Sequence, residues 1–225
     1  MNQIRLWIGL VVILFCYLHS LAAYSQNHLT PAITQPIPIS DLAGYDNDPD
    51  AVKNLISKAA LLTNQNLTYM YNSADPKNHG MDCSGTIYYL LNTQGLKNLP
   101  RSANEMYLWV KQYGDFHSVK QNDLSSADFS ELKPGDLLFW SGTYNIGNSN
   151  TISHVMIYLG KNSQNKPLMF GSSDGRTYQN KKMWGVSVFD FKLPGKNDSA
   201  KFIGYSCIPI LTCKPHPVQR NPASQ

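Results

Sequence analysis

The spacing of apolar positions changes along the chain from a helical to a strand-like period. Between about residues 49 and 113, apolar side chains recur at intervals of three and four, which places them on one face of a helix. Helices that bury such a face against a core are the usual source of this pattern. It predicts three helices, over residues 49–63, 83–93 and 103–113.

Two of these helices carry recognisable start signals. Asp48 precedes Pro49, and the two are a good N-cap residue and a proline whose fixed φ suits the first helical turn. Ser102 is followed three residues later by Glu105, which is the spacing of a capping box. The residues expected on the buried side of the third helix are Met106, Trp109, Val110 and Tyr113.

From residue 132 onward, short apolar runs alternate with turn-forming segments rich in Gly, Pro, Asn and Ser. Runs of four to eight such residues favour β-strands. Five strands are predicted, over residues 137–140, 153–160, 168–172, 185–191 and 201–211. Residues 64–81 and 114–130 lack a clear period and are expected to be irregular. Three helices followed by about five strands indicate an α+β fold, with N-terminal helices packed on a C-terminal antiparallel sheet.

The first residues have the pattern of a secretory signal peptide. Arg5 precedes an apolar run over residues 6–18, and small residues precede possible cleavage points after Ala23 or Ser25. The run is short for a membrane span, although an uncleaved anchor is the alternative. We divide the chain into a signal peptide (1–25), an extended arm (26–47), a folded domain (48–211) and a flexible tail (212–225).

Charge and length narrow the classes of function. The 225 residues carry 19 Lys and Arg against 15 Asp and Glu. Without the signal peptide, in which only Arg5 is charged, 200 residues remain with 18 basic against 15 acidic side chains, a net charge of +3. No Lys/Arg block is present, so we expect no nucleic-acid partner. We expect an exported, monomeric protein in the periplasm or secreted, and its mild basicity suits an anionic cell-envelope substrate.

Three cysteines remain after the signal peptide: Cys83, Cys207 and Cys213. An odd count in an exported protein leaves one thiol unpaired. Cys207 and Cys213 are close in sequence and are candidates for a disulfide in an oxidising compartment. Sequence spacing does not establish the geometry that a disulfide needs. If they pair, Cys83 is the free thiol.

The free thiol lies where a nucleophile could be activated. Asp82 is a good N-cap residue and places Cys83 in the first turn of the second helix, where unpaired amides and the helix dipole favour the thiolate. Such a nucleophile needs a base. His154 is the only one of six histidines at the head of a predicted core strand, from which it could reach this helix start. A buried structural cysteine and a structural histidine are the alternatives.

The sequence shows no metal-ligand motif and no phosphate-binding motif. It contains no His-Glu-x-x-His and no Cys-x-x-Cys, and no glycine-rich phosphate loop follows a predicted strand. We therefore expect neither a metal ion nor an organic cofactor.

Four segments, in this order, resemble the successive signatures of the NlpC/P60 cysteine peptidases. They are Asp82-Cys83-Ser84-Gly85, Leu99-Pro100-Arg101-Ser102, the run from Leu132 to Trp140, and the run from Ser153 to Gly160. The resemblance covers about residues 50–210. It implies a papain-like α+β core and hydrolysis of peptidoglycan stem peptides, typically between D-γ-glutamyl and diamino-acid residues.

The resemblance also implies roles for individual residues. Cys83 corresponds to the nucleophile and His154 to the base. Tyr69 matches a tyrosine that shapes the substrate cleft, with simple packing as the alternative. Asp82 and Ser84 match positions near the free amine of the substrate, and helix capping alone is the alternative for Asp82. Arg101 matches a position concerned with local structure, so we place it outside the site.

One departure from the family pattern concerns a third polar residue, usually a histidine, which orients the base. Alignment of the strand after His154 puts Gly171 at that position, and glycine has no side chain for the task. Ser173 has the same strand parity and is our candidate, with a backbone carbonyl as the alternative. The run 171–176 has the composition of a functional loop, although a plain Gly-rich turn explains it equally well.

The sequence thus predicts an exported cysteine peptidase that cleaves peptidoglycan peptides through an acyl-enzyme. Two alternatives remain open at this point. One is a catalytically weak or silent wall-binding module. The other is an amidase or acyltransferase of the same fold that acts on another substrate. Rapid labelling of Cys83 by iodoacetamide at neutral pH is expected for the enzyme and not for the silent module.

Overall fold

The computed structural model describes residues 30–144 and 151–213. The predicted signal peptide and most of the predicted tail lie outside these residues. Three α-helices are present within them, and their bounds agree with the predicted ones to within a residue. They are α1 (Asp50–Thr63), α2 (Cys83–Thr93) and α3 (Ala103–Tyr113).

Of the two predicted helix starts, the one at α3 is correct and the one at α1 is wrong. The capping box of Ser102 and Glu105 is formed in both directions at the start of α3. Asp48 does not cap α1: Pro49 occupies the N-cap position, no side chain caps the helix, and the Pro49 carbonyl accepts from the amides of the first turn. Tyr113 was expected to be buried but is exposed at the end of α3. The polar hydroxyl of Tyr113 reduces the free-energy cost of exposing this side chain to water.

The strands follow the predicted order, with additions. They are β1 (Thr68–Tyr69), β2 (Gly80–Met81), β3 (Phe116–Ser118), β4 (Leu137–Ser141), β5 (Ile152–Lys161), β6 (Pro167–Ser173), β7 (Thr177–Tyr178), β8 (Lys181–Lys182), β9 (Gly185–Asp190) and β10 (Lys201–Ser206). Six of them form one sheet in the order β3-β10-β4-β5-β6-β9, and every neighbouring pair is antiparallel. The α+β prediction is therefore confirmed.

The sheet has one strand more than the five that were predicted. β3 is short and carries a polar His117 at its centre, so its apolar pattern is weak. It forms because β10 offers a free edge, on which Tyr205 lies opposite His117 and stacks on its ring with centroids 5.1 Å apart. Residues past Ser206 leave the sheet, so the last strand is shorter than predicted.

The main core lies between the helices and one face of the sheet. Both α2 and α3 pack on β5, the central strand that carries His154. The largest fully buried side chains come from the helices, the strands and the residue after β9: Leu55, Ile56, Met81, Ile87, Leu90, Leu91, Phe139, Trp140, Phe170, Phe189, Phe191 and Tyr205. This core holds the start of α2 against β5.

The described part of the predicted arm lies on the domain and is not fully extended. Ile33 forms a β-bridge with Trp184, and Leu42 forms one with Asn162. Between and after these bridges, residues 39–41 and 45–47 form short 3-10 turns.

At the other end of the described chain, the predicted disulfide between Cys207 and Cys213 is confirmed, and Cys83 is the free cysteine. Contacts continue to Cys213, two residues into the predicted tail. Across residues 30–144 and 151–213, no helix combines the length and hydrophobicity needed to cross a membrane.

Candidate active site

The start of α2 is built by local hydrogen bonds, as its sequence predicts. Asp82 has extended backbone angles, and its Oδ1 accepts from the backbone N–H of Gly85 at 2.5 Å. The Asp82 carbonyl accepts from the N–H of Thr86. A side chain at position 85 is excluded, because a Cβ there would lie 2.1 Å from the carbonyl oxygen of Ser73. Cys83 is thereby held in the first helical turn.

An arginine from the segment before α3 braces this helix start. Nη2 of Arg101 lies 2.9 Å from Oδ2 of Asp82, and Nη1 donates to Oδ1 of Asp82 at 3.2 Å and to the Ser84 hydroxyl at 3.0 Å. The Asp82 side chain is only 9% exposed. A bidentate arginine is well suited to such a carboxylate. The local structural role expected for Arg101 is therefore visible, and it engages both Asp82 and Ser84.

The sulfur of Cys83 lies against the backbone on both sides of His154. Sγ is 4.0 Å from the carbonyl oxygen of Ser153, and the backbone amide of Val155 is close enough to the sulfur to lower the pKa of the thiol. β5 pairs with β6 only from Ile157 onward, so its first residues are available to meet the start of α2. The packing of α2 on β5 thus brings Cys83 to the strand position that carries His154.

The thiol is not made acidic by its helix, contrary to the sequence-based expectation. The pKa of Cys83 is raised to about 11: burial is the largest cause, the Asp82 carboxylate adds to it, and the backbone amides of Val155, Ser84 and Cys83 itself lower it by less. Cys83 is 5% exposed, and desolvation disfavours the charged form of any acid. At neutral pH the side chain is therefore a thiol.

His154 is buried at the side of Trp140, with ring centroids 5.7 Å apart. Burial lowers the pKa of the imidazole well below its usual value, and the positive charge of Arg176 lowers it further. The ring is neutral at neutral pH and can accept a proton. Its Nε2 atom is buried and has no hydrogen-bond partner among the described residues.

The predicted orienting position can be examined in the sheet. A Cβ at Gly171 would lie 3.0 Å from Cγ of Met156, so position 171 faces Met156. Continuing the register in which Ile157 lies opposite Phe170 would bring Ser173 opposite His154. Ser173 is buried and lines the same cavity as His154, yet no hydrogen bond joins the two side chains. The orienting role of Ser173 stays a prediction.

Tyr69 reaches the site through a short pairing of strands. β1 and β2 run parallel with Tyr69 opposite Met81, the residue before Asp82. Burial raises the pKa of the Tyr69 phenol, and the negative charges of Cys83, Asp174 and Asp82 raise it further. Tyr69 is therefore close enough to Cys83 to sense its charge, as a cleft residue must be.

A cavity of about 670 Å³ opens beside these residues, a size typical of ligand sites. The described residues that line it are Tyr69, Tyr71, Thr143, Tyr144, His154, Ser173, Asp174, Gly175, Arg176, Thr177, Asp190, Lys192, Leu193, Pro194, Asp198 and Ala200. Cys83 is not among them, but its negative charge would raise the pKa of Tyr69 and Tyr144 in the wall. Cys83 thus acts electrostatically on two residues of the cavity wall.

Sequence reasoning missed three residues of this wall. Tyr71 and Tyr144 are exposed aromatic side chains beside the cavity, and no period or motif marks either one. Arg176 lies over the Trp140 ring, with Cζ 4.3 Å from the centroid. A signal for Arg176 was present, since it ends the run 171–176 whose composition suggested a functional loop.

The site offers a thiol, a neutral imidazole and the backbone amides of a helix start. These groups suit nucleophilic attack on a carbonyl and stabilisation of the resulting oxyanion. In the described ranges, no group of three or more His, Cys, Asp or Glu side chains is placed to hold a metal ion.

Comparison with known families identifies the class of protein to which this fold and this site belong. The model of the NlpC/P60 family matches residues 66–187, just over half of the chain. This span includes the start of α2, the segment with Arg101, and strands β4 to β6. The chain belongs to the NlpC/P60 family.

The curated relatives that it matches are hydrolases of low sequence identity. Murein DD-endopeptidase MepH of Escherichia coli K12 is 31% identical over 117 residues, which is 49% of this chain and 37% of the relative. Gamma-DL-glutamyl hydrolase of Bacillus subtilis 168 is 29% identical over 137 residues, 57% and 28% of the two chains. Probable endopeptidase YafL of E. coli K12 is 35% identical over 92 residues, 41% and 30%.

The chain therefore spans between 28% and 37% of the length of these relatives. Among solved structures, a Staphylococcus aureus protein described as similar to lipoprotein of the NLP/P60 family has 20% identity and a TM-score of 0.45. That match covers 84% of this chain and 48% of the other.

Proposed function

We propose that this chain is an exported cysteine peptidase that hydrolyses amide bonds in peptidoglycan stem peptides, with the D-γ-glutamyl–diamino-acid bond as the expected target. The observation that carries the proposal is the position of the free thiol. Cys83 begins a helix, and its sulfur contacts the backbone of Ser153 and Val155, on either side of His154. The names of the relatives as murein endopeptidases and a γ-glutamyl hydrolase support this substrate class.

Export is part of the proposal. Residues 1–25 have the pattern of a signal peptide, and the disulfide between Cys207 and Cys213 is of a kind that persists in oxidising compartments. We place the catalytic domain at residues 48–211 and the protein in the periplasm or outside the cell.

The pKa directions support a general-base route to the nucleophile. The pKa of Cys83 is raised and that of His154 is lowered, so both groups are neutral at rest, one as a thiol and the other as an imidazole. His154 then removes the proton as the sulfur attacks, as a general base does. A preformed thiolate–imidazolium pair would need the opposite shifts.

The proposed reaction has an acylation and a hydrolysis step, and it returns the thiol to its starting state. The sulfur of Cys83 bonds to the scissile carbonyl carbon, its proton moves to His154, and the carbonyl oxygen becomes an oxyanion held by the amide of Cys83. The carbon–nitrogen bond breaks, and His154 passes its proton to the leaving amine. Water, deprotonated by His154, then hydrolyses the thioester to release the acid and regenerate the thiol.

The residues predicted to bind substrate or to orient the base have different roles in this proposal. Tyr69 lines the cavity beside Cys83 and forms a wall for the substrate. Asp82 and Ser84 are already engaged by Arg101, so a substrate amine would share these groups with the guanidinium. Ser173 remains the candidate that positions His154.

A catalytically silent wall-binding module is the second candidate. The buried Nε2 of His154 has no partner among the described residues, and Cys83 is only 5% exposed. A base whose ring is not oriented and a nucleophile that the substrate reaches poorly would both reduce the rate. These two observations favour the silent module.

Digestion of purified muropeptides, followed by mass spectrometry, tests the proposal. We expect wild type to split the stem peptide, and Cys83→Ala and His154→Ala to lose cleavage while keeping the wild-type circular dichroism spectrum. Lys182→Met, a change at an exposed lysine on β8, is the matched control and keeps cleavage. Identical products from wild type and Cys83→Ala would refute the peptidase. Sedimentation of a non-cleaving wild type with peptidoglycan sacculi would support the silent module.

A further inference from the structure

The guanidinium of Arg176 lies in the wall of the cavity. It stacks over the Trp140 ring at 4.3 Å and shares the cavity with His154. In the described part of the chain, no side chain or carbonyl accepts a hydrogen bond from it or forms an ion pair with it. Arginine has five N–H donors, and the side chain is half-buried in the cavity wall. These donors are therefore available to an acceptor on a ligand in the cavity.

The charge of this side chain persists despite its desolvation. The pKa of Arg176 is lowered to about 10: burial is the largest cause, and the charges of Cys83, when it is ionised, and of Asp174 oppose it. The guanidinium therefore stays positive at neutral pH. Asp174 is exposed and does not pair with it. An unpaired cation in a partly dry wall attracts an anion strongly, because the low dielectric weakens screening.

The backbone holds Arg176 in place. The amide of Met183 donates to the Arg176 carbonyl at 2.8 Å, and the next residue, Thr177, pairs with Lys182 in the β7–β8 hairpin. The stem of the side chain rests on Trp140, which is fully buried. A binding group fixed in this way loses little conformational freedom when a ligand arrives.

Resting on the proposed function, we propose that Arg176 is a specificity-determining residue that binds a free carboxylate of the substrate beside the scissile amide. A planar guanidinium matches a carboxylate in a bidentate pair. A γ-linked glutamyl residue necessarily keeps its α-carboxylate free, on the acyl side of the bond. The amino acid on the amine side can carry a second carboxylate, equally close to the bond. The shared chemistry is a carboxylate a few bonds from the attacked carbonyl.

Three synthetic stem peptides distinguish the two sources. One has both carboxylates free, the second has the glutamyl α-carboxylate converted to its amide, and the third has the amine-side carboxylate converted. We expect wild type to lose about 10- to 100-fold in kcat/KM for the peptide that lacks the bound carboxylate. Arg176→Met and Arg176→Gln should treat that peptide and its parent alike. Arg176→Lys keeps the charge and restores part of the preference, whereas Lys182→Met keeps all of it.

Binding separates this inference from the proposed function. Calorimetry with Cys83→Ala protein measures the affinity for the same three peptides without any cleavage. If wild type cleaves none of them, the peptidase proposal fails, while a weaker affinity for one amidated peptide still supports Arg176. Equal affinity of Cys83→Ala protein for all three peptides overturns the inference. The inference is also overturned if Arg176→Met and Arg176→Gln, each with wild-type melting, lower kcat/KM by the same factor for the parent and the amidated peptide. The variants would then keep the wild-type preference between the two peptides.

Discussion

Removal of the Arg101 side chain should destabilise the start of α2 by leaving a buried carboxylate without its counter-charge. In Arg101→Met, the Asp82 side chain, 9% exposed, loses contacts of 2.9 and 3.2 Å. Breaking a fully buried pair costs about 3–5 kcal/mol. The Arg101 side chain is 33% exposed, so water compensates part of this, and we expect a loss of about 2–3 kcal/mol.

The charge explanation can be tested with a second change. Asn at position 82 keeps an oxygen that can accept from the Gly85 amide, and Asn is a good N-cap residue, but it removes the charge. The double variant Asp82→Asn/Arg101→Met should therefore be more stable than the sum of the two single losses implies, by about 1–2 kcal/mol. Urea unfolding followed by tryptophan fluorescence, with the disulfide oxidised, measures each free energy of unfolding.

Two results would refute this reasoning. One is an unfolding free energy of Arg101→Met within about 0.5 kcal/mol of wild type, which is the range of ordinary surface changes. The other is strict additivity in the double variant. Lys97→Met, a change at an exposed lysine of the same connecting segment, is the control and should fall within that range.

Three further predictions follow from the buried groups and the disulfide. Because burial and Asp82 raise the pKa of Cys83 to about 11, iodoacetamide should label it slowly at pH 7, with a rate that rises about tenfold per pH unit up to that pKa. Slow labelling is therefore expected of the enzyme as well, so this rate no longer separates the enzyme from the silent module. Fast labelling at pH 7, measured by mass spectrometry against free cysteine, would contradict the raised pKa. Burial raises the pKa of Asp136 from 3.8 to about 7, so the folded state binds the carboxyl proton more tightly than the unfolded state does. The stability that this proton contributes is complete below pH 3.8 and is lost as the pH rises to 7. The loss is of order 4 kcal/mol, so Asp136→Asn should flatten the fall in unfolding free energy between the two pKa values, 3.8 and about 7. An unchanged pH profile would refute the role of this carboxyl. The disulfide closes a short loop, so Cys207→Ser/Cys213→Ser should lower the unfolding free energy by about 2 kcal/mol while leaving any muropeptide cleavage intact; loss of cleavage in a folded double variant would contradict its separation from the site.

Much of the fold was predictable because its signals are local. Ser102 and Glu105 form their capping box within four residues, and the bounds of α2 follow from Asp82 at its start and the apolar spacing behind it. The pairing of Cys207 with Cys213 spans only six positions. In each case the partners are neighbours along the chain, so the residues nearby are enough to specify the structure.

Features that depend on partners far along the chain escaped the sequence or were misjudged. β3 exists because β10 offers an edge to a segment with little pattern of its own. The first turn of a helix favours a thiolate, but the packing of α2 against β5 desolvates Cys83 and raises its pKa instead.

The order of residues along the chain was thus enough to indicate the α+β class, the free cysteine and the family signatures. The tertiary structure decided which groups share a low-dielectric cavity. It brought Arg176, 93 positions after Cys83, over Trp140 and beside His154. Burial and long-range proximity set protonation states and leave a charge unpaired, and neither quantity can be computed from neighbours in sequence.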